Sequence, residues 1–306
     1  MLHSTGMALA LHPDRLLPAE PGVRAIAREL YGAVRELPVI SPHGHVDPRV
    51  LLDDEPFGDP ASLLVTPDHY VTRLLHASGV GLDELGVAQG PLSEEGARAV
   101  WRRMCAHWHV FRGTPVRYWL EHELVEIFGI ALRPSAASAD ALYDELTARL
   151  AEPAFRPRAL YDRFRIAVLA TTDDPCDDLA AHAALGADPT WSGRVIPTFR
   201  PDRYLEPATP GWPELTARLA QCSGIDTGDY PGFVAAMEAR RRHFTPTARR
   251  RLTTATRTCA RTRSSRRWPT ASTAPPSPAR RRRRRPWRCA GTCCSRWPGC
   301  PARTAW

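Results

Sequence analysis

The sequence predicts an α/β protein built on a parallel sheet, and three observations carry that reading. Short apolar runs at Val39–Ser41, Arg165–Ala170 and Arg194–Pro197 have the composition of buried strands. Segments with helical apolar spacing separate them. Polar residues follow each strand at once, at Pro42–His45, Thr171–Pro175 and Thr198–Asp202. Strands alternating with helices, with polar strand ends, are the grammar of parallel α/β folds. In a β/α barrel those strand ends hold the chemistry.

The elements follow in order. Pro21–Leu37 reads as an amphipathic helix: Val23, Ile26, Leu30, Ala33, Val34 and Leu37 recur at helical spacing, with Arg24, Arg28, Glu29 and Arg35 on the other face. Pro38 stops it, and the first strand follows. From Pro48 to about Pro157 the chain reads as a helical insertion. Helices are expected over Pro67–Ala77, Ser93–Trp108, Val116–Phe128 and Ala139–Leu150, with breaks at Gly79, Gly90, Gly113 and Pro134. Ser93 ahead of Glu94 and Glu95 is a helix start. Asp177–Leu185, Pro213–Gln221 and Tyr230–Phe244 are the later helices.

Charge divides the chain. The net +8 averages two unlike pieces. Residues 1–245 hold 24 Arg against 33 acids, a formal −9, whereas residues 246–306 hold 17 Arg and no acid. A basic balance points to nucleic acid or anionic membrane, and here only the tail has one. Cys105, Cys176 and Cys222 are the three cysteines of the front, widely spaced, so no disulfide framework is expected and a cytoplasmic location is. Met1–Pro18 lacks the apolar core of a signal peptide. No apolar run approaches the roughly 20 residues that span a bilayer. The chain has no Lys and no Asn, whose codons are A-rich, which implies GC-rich coding DNA.

Several residues could carry chemistry. His43 and His45 close the first strand; positions i and i+2 of a strand share a side, so both imidazoles can reach one metal ion. Two polar histidines in a turn are the alternative. Asp68-His69-Tyr70 opens a helix with Arg73 one turn on; His69 and Tyr70 could move protons, or Asp68 could simply cap the helix beside a packed aromatic. Arg200 could grip a carboxylate in a bidentate fashion, or form an ion pair at the sheet edge. His107 and His109 straddle Trp108 in a helical stretch, where i and i+2 face apart, so they are read as core or surface.

Taken together, Leu37–His45, Pro67–Arg73, Phe164–Pro175 and Arg194–Asp202 resemble the uronate isomerase family of the amidohydrolase superfamily, in order and spacing. The resemblance covers roughly residues 20–244. It implies a (β/α)8 TIM-type barrel, here partial, with a helical insertion after strand one. It implies interconversion of D-glucuronate with D-fructuronate and of D-galacturonate with D-tagaturonate. It makes His43 and His45 ligands of a divalent metal, zinc or manganese. It puts His69 and Tyr70 where a proton passes between C2 and C1, with His69 also touching substrate, and makes Arg200 the partner of the sugar acid's carboxylate. A small-molecule uronate is then the partner, with a homo-oligomer expected for the full-length family. Other amidohydrolase-type metal hydrolases share His-x-His but give less reason for the remaining segments.

The family's later strands, with an acidic metal ligand on the last, are not recognisable after Phe244. Residues 246–306 lack any sustained hydrophobic period, and two readings compete. One is a basic arm for nucleic acid centred on Arg280–Arg285. The other is a frameshift near Thr245. Permitted codons for Leu252–Thr258, read from the third base of the first, give Asp-His-Gly-His-Pro-Asp, similar to a segment the family carries after its third strand. The shift is the favoured reading. It makes the tail disordered and non-native, removes the reason to expect nucleic acid as a partner, and leaves residues 1–245 as part of a barrel that is inactive alone, because three strands of eight cannot close.

Overall fold

A computed structural model describes residues 8–208 and 210–249, with side chains to Thr245. The expectations for the arginine-rich tail fall, beyond Arg249, outside the described residues.

The chain opens with α1 (Pro21–Val34), started by Pro21 and capped by the Glu20 carboxylate, which accepts from the amides of Gly22 and Val23. β1 (Val39–Ser41) follows, then the helical insertion: α2 (Pro48–Asp53), α3 (Pro60–Leu64), α4 (His69–Ala77), α5 (Glu94–Ala106), α6 (Pro115–His122), α7 (Ala139–Leu150) and α8 (Pro157–Arg163). β2 (Ile166–Ala170), α9 (Ala180–Ala187), β3 (Val195–Ile196), α10 (Trp212–Ser223) and α11 (Tyr230–Arg249) complete it. The strands form one parallel three-stranded sheet in the order β1-β2-β3. The α/β class and parallel sheet expected from the sequence are therefore present.

The insertion carries the largest apolar cluster. Val71 and Leu75 of α4, Trp101 and Met104 of α5, and Leu142 and Leu146 of α7 pack together, nearly inaccessible to solvent. The Trp101 indole N–H, buried with them, donates to the Ala139 carbonyl at 3.1 Å, so this large side chain leaves no orphaned donor. A second cluster joins Leu51, Tyr161, Leu169, Leu185 and Trp191 beneath the sheet, and a third joins Tyr204, Leu215, Leu219 and Ala236.

Four expectations need correction. β1 was expected to be buried, but Val39 and Ile40 are exposed: among the described residues β1 is an edge strand, and no described element packs over these side chains. α1 has an apolar stripe, yet none of its residues is buried, because no described element covers that stripe. His107 and His109 do not face apart: α5 ends at Ala106, a 3₁₀ turn follows, and the two rings stack with centroids 6.2 Å apart. The helix expected over Val116–Phe128 is also subdivided, since a π-helical turn at Glu123–Ile127 follows α6.

Arg158 ties α2, α8 and α9 together. Its guanidinium donates to the carbonyls of Leu51 and Leu52 and to the Asp188 carboxylate at 2.7 Å, and lies over the Trp191 ring. The Thr190 hydroxyl and amide, with Arg158, hold the Asp188 carboxyl at about 2. Arg158→Ala would strand two carbonyls and a part-buried carboxylate. It is expected to cost about 2–4 kcal/mol in urea or thermal unfolding; a loss below half a kcal/mol would show the cluster stands without it.

Candidate active site

The three strands run the same way, so their carboxyl ends gather on one side of the sheet. β1 delivers His43 and His45 there. Their Nε2 atoms converge to 3.0 Å, with the rings edge to face. Two imidazole nitrogens bound to one ion at 2.0–2.1 Å would stand about 2.9 Å apart at a right angle and about 3.3 Å at the tetrahedral angle. The observed spacing fits shared ligation without selecting a metal. Gly44 between them lets this turn lie against β2: a Cβ there would stand 3.2 Å from the Ala170 carbonyl oxygen.

β2 contributes Thr171–Asp174. The Thr172 hydroxyl lies 3.4 Å from His45 Nδ1, on the far side of that ring from the converging nitrogens. A cleft of about 340 Å³ beside the histidines is lined by His45, Asp47, Thr172, Asp173, Asp177 and Asp178. Among the described residues, no group of three His, Cys, Asp or Glu is placed to hold a metal.

Behind Thr172 runs a buried chain of polar groups that sequence reading did not single out. Thr171 Oγ1 donates to the Asp173 carboxylate at 2.7 Å and lies 2.8 Å from His182 Nε2. Burial pushes the His182 imidazole below its ordinary value against the opposing charge of Asp173. Neutral His182 then donates from Nε2 to Thr171, and its buried Nδ1 has no partner. Spacing gave no warning, since His182 lies 11 residues beyond Thr171 on a different element.

Arg200 follows β3. Its amide donates to the Asp173 carbonyl at 3.0 Å, which fixes its backbone beside the β2 loop. Its exposed side chain pairs with Asp202 at 2.6 Å, the ion-pair arrangement that the sequence left open. A bidentate ligand would have to displace Asp202.

His69 and Tyr70 sit at the start of α4, where the Asp68 carboxylate accepts from the Tyr70 amide at 2.7 Å. The capping role considered for Asp68 is thus real, and it does not exclude a role for its neighbours. The two rings lie 4.1 Å apart, Arg73 lies over Tyr70, and Trp119 of α6 meets Tyr70 edge-on at 5.9 Å. Among the described residues, no hydrogen bond, ion pair or ring contact joins this group to His43, His45 or Arg200.

Glu123 is the residue the sequence gave least reason to notice. It opens the π-helical turn and lines a cavity of about 730 Å³ with Leu16, Leu17, Tyr31, Tyr118 and Trp119. Burial, helped by the charge of Asp68, pushes its carboxyl up to about 7. Helical periodicity shows where a carboxylate falls, but not that the surrounding aromatics desolvate it.

Comparison with known proteins now decides the family. Residues 22–260 match the sequence model of glucuronate isomerase. The chain belongs to that family. It is 56% identical over 236 residues to the uronate isomerase of Cutibacterium acnes, covering 77% of this chain and 50% of that protein. It is 50% identical to that of Corynebacterium efficiens over similar shares. The glucuronate isomerase crystal structure from Caulobacter crescentus superposes with a TM-score of 0.74 at 42% identity, covering 78% of this chain and 50% of the other. The uronate isomerase from Thermotoga maritima gives 0.69 at 26% identity over the same shares. This family member thus spans about half the length of the relatives it matches.

The raised Glu123 carboxyl has a signed consequence. Its folded value of about 7 lies above the ordinary 4.5, so its contribution to stability is complete below about 4.5 and is lost as pH rises through 7. Glu123→Gln is expected to leave the melting temperature at pH 4.5 nearly unchanged. At pH 8 it should raise stability by roughly 1–2 kcal/mol, allowing for solvent screening. An identical pH profile for both proteins would show that Glu123 titrates normally.

Proposed function

We propose that this chain is the first half of a metal-dependent uronate isomerase, whose whole form is a (β/α)8 barrel interconverting D-glucuronate with D-fructuronate and D-galacturonate with D-tagaturonate. The observation that carries the reading is the convergence of His43 Nε2 and His45 Nε2 at 3.0 Å, at the sheet end where Arg200 also emerges. In this reading residues 1–245 are the barrel part and residues 246–306 are non-native sequence. No described helix is long and apolar enough to cross a membrane, in keeping with a cytoplasmic enzyme of hexuronate breakdown.

His43 and His45 would hold zinc or manganese, which when bound polarises the sugar's carbonyl and hydroxyl oxygens. Thr172 holds the His45 ring from Nδ1 and leaves Nε2 free to ligate. Arg200 exchanges Asp202 for the uronate carboxylate, a like-for-like swap that orients the sugar by its charged end. His69 and Tyr70 stand as the acid–base pair for proton transfer between C2 and C1, since an aldose–ketose shift requires one proton to leave carbon while another reaches oxygen. With two ligands in hand, the chain alone is expected to be inactive.

Two measurements test this. Zinc or manganese binding to the purified chain should fall at least about 10-fold in His43→Ala or His45→Ala; unchanged affinity would remove the metal assignment. A fusion of residues 1–245 to the second half of the Cutibacterium acnes uronate isomerase should isomerise D-glucuronate. In it, His69→Ala or Tyr70→Phe should lower kcat about 10²–10⁴-fold, and Arg200→Met should raise KM about 10–100-fold. A folded, metal-loaded fusion that converts neither uronate would overturn the function.

A further inference from the structure

Two of the three cysteines in residues 1–245 meet in the fold, although 46 positions separate them. Cys176 follows β2 and Cys222 lies in α10, and their sulfurs stand 2.9 Å apart. Both are free thiols, part-buried beside the cluster of Tyr204, Leu215, Leu219 and Ala236, and neither is sealed from solvent. Cys176 is held in place from two sides. Its amide donates to the Asp174 carboxylate at 2.9 Å, and the Arg240 guanidinium of α11 donates to the carbonyls of Pro175 and Asp177, each at 2.7 Å. The Tyr204 hydroxyl donates to the same carboxylate at 2.8 Å and lies 3.3 Å from the Cys176 sulfur. Cys222 is set by its helix, with its sulfur 3.5 Å from the Leu219 carbonyl oxygen. Cys105 is the contrast. It is 1% exposed in the core of the insertion, and burial pushes its thiol up to about 12. A single half-buried cysteine is a small apolar side chain; two whose sulfurs touch across distant elements are a dithiol.

We propose that Cys176 and Cys222 form a reversible dithiol–disulfide site that exchanges with low-molecular-weight disulfides of the glutathione class. One cysteine thiolate attacks a sulfur of the small disulfide; the S–S bond of that reagent breaks and one glutathione thiolate leaves. The other cysteine thiolate then attacks the mixed disulfide, and the second glutathione thiolate leaves as the Cys176–Cys222 bond forms. The cysteine sulfurs give up two electrons, the reagent gains them, and the two cysteine protons pass to the two glutathione thiolates. The sulfurs need to approach by less than about 1 Å to reach bonding distance. Burial and the hydrogen bond to Cys176 push the Cys222 thiol up to about 11, so its thiolate is scarce and exchange is slow. The bond would tie α10 to the loop that carries Thr172 and Asp173, and closing so long a stretch of chain restricts the unfolded state. The inference rests on the placement of two sulfurs and is independent of metal and of uronate chemistry.

The test uses the full 306-residue chain carrying Cys259→Ser, Cys289→Ser, Cys293→Ser, Cys294→Ser and Cys300→Ser, so that Cys105, Cys176 and Cys222 are its only thiols. After hours with oxidised glutathione, the chain is alkylated, digested without reduction and mapped by mass spectrometry. A linked Cys176–Cys222 peptide pair is expected as the predominant species, with Cys105 still a thiol, and dithiothreitol should restore both thiols. The oxidised chain should melt about 5–10 °C above the reduced one. Cys176→Ser and Cys222→Ser should each abolish that shift and, under reducing conditions, keep the parent's circular dichroism. In either variant the remaining partner should stop at the mixed disulfide with glutathione. No linked pair, a pair that includes Cys105, or glutathione retained on the parent in place of the link would each overturn the proposal. The mapping is made on the chain that keeps both cysteines, so a serine variant that fails to fold does not shelter it.

Discussion

The carboxyl ends of β2 and β3 are held in register by Asp173. Its amide donates to the Thr198 carbonyl and its carbonyl accepts from the Arg200 amide, each at 3.0 Å. Its carboxylate accepts from the Thr198 amide and the Thr171 hydroxyl. Ladder pairing within β3 covers only Val195 and Ile196, so two residues alone could not fix where Arg200 emerges. Asp173 extends the pairing past the strands, with a bridge to Phe199. A charged group is tolerated there because hydrogen bonds replace the water it has lost. Thr172, one residue back, faces His45, so one anchored loop sets both the histidine pair and the arginine.

His69 and Tyr70 have a different foundation. α4 roots in the helical cluster through Val71 and Leu75, whereas the strand-end groups rest on the cluster around Leu169 and Trp191. Most of the helical insertion thus packs on its own cluster, while its first and last helices, through Leu51 and Tyr161, belong to the cluster beneath the sheet. The polar groups at the start of α4 and those at the strand ends therefore rest on different apolar clusters, which α8 links.

Much of this was legible in the residues. Caps and breakers located the helices: Ser93 caps α5 and Asp68 caps α4, as their types require. The strands Val39–Ser41 and Ile166–Ala170 lie where apolar runs placed them. The sequence placed His43 and His45 on the first strand, but β1 ends at Ser41, so their Nε2 atoms converge in the loop beyond it and strand alternation is not the cause. Burial was less legible, since periodicity tells which face is apolar and not whether anything covers it; α1 and β1 have the right pattern, yet among the described residues their apolar side chains stay exposed. The His182–Thr171–Asp173 chain and the raised Glu123 carboxyl were invisible for a related reason. Both arise from contacts between different elements, and a polar residue gains or loses its water only when the fold closes over it. For Arg200, the residues admitted both an anion grip and an ion pair, and the fold displays the ion pair with Asp202.

α1 differs from the rest of the molecule in what fastens it. With none of its side chains buried, it is tethered near its middle by Asp14 pairing with Arg28, and just past its end by Arg165, which pairs with Glu36 and bonds the carbonyls of Arg35 and Glu36. Both carboxyls are held below their ordinary range by those arginines. Exposed ion pairs weaken as ionic strength rises, over a screening length of about 8 Å at physiological salt, while apolar packing does not. Ionic strength is therefore expected to act first on the pairs that fasten the first helix and far less on the apolar core behind it, which makes α1 the salt-sensitive part of the described fold.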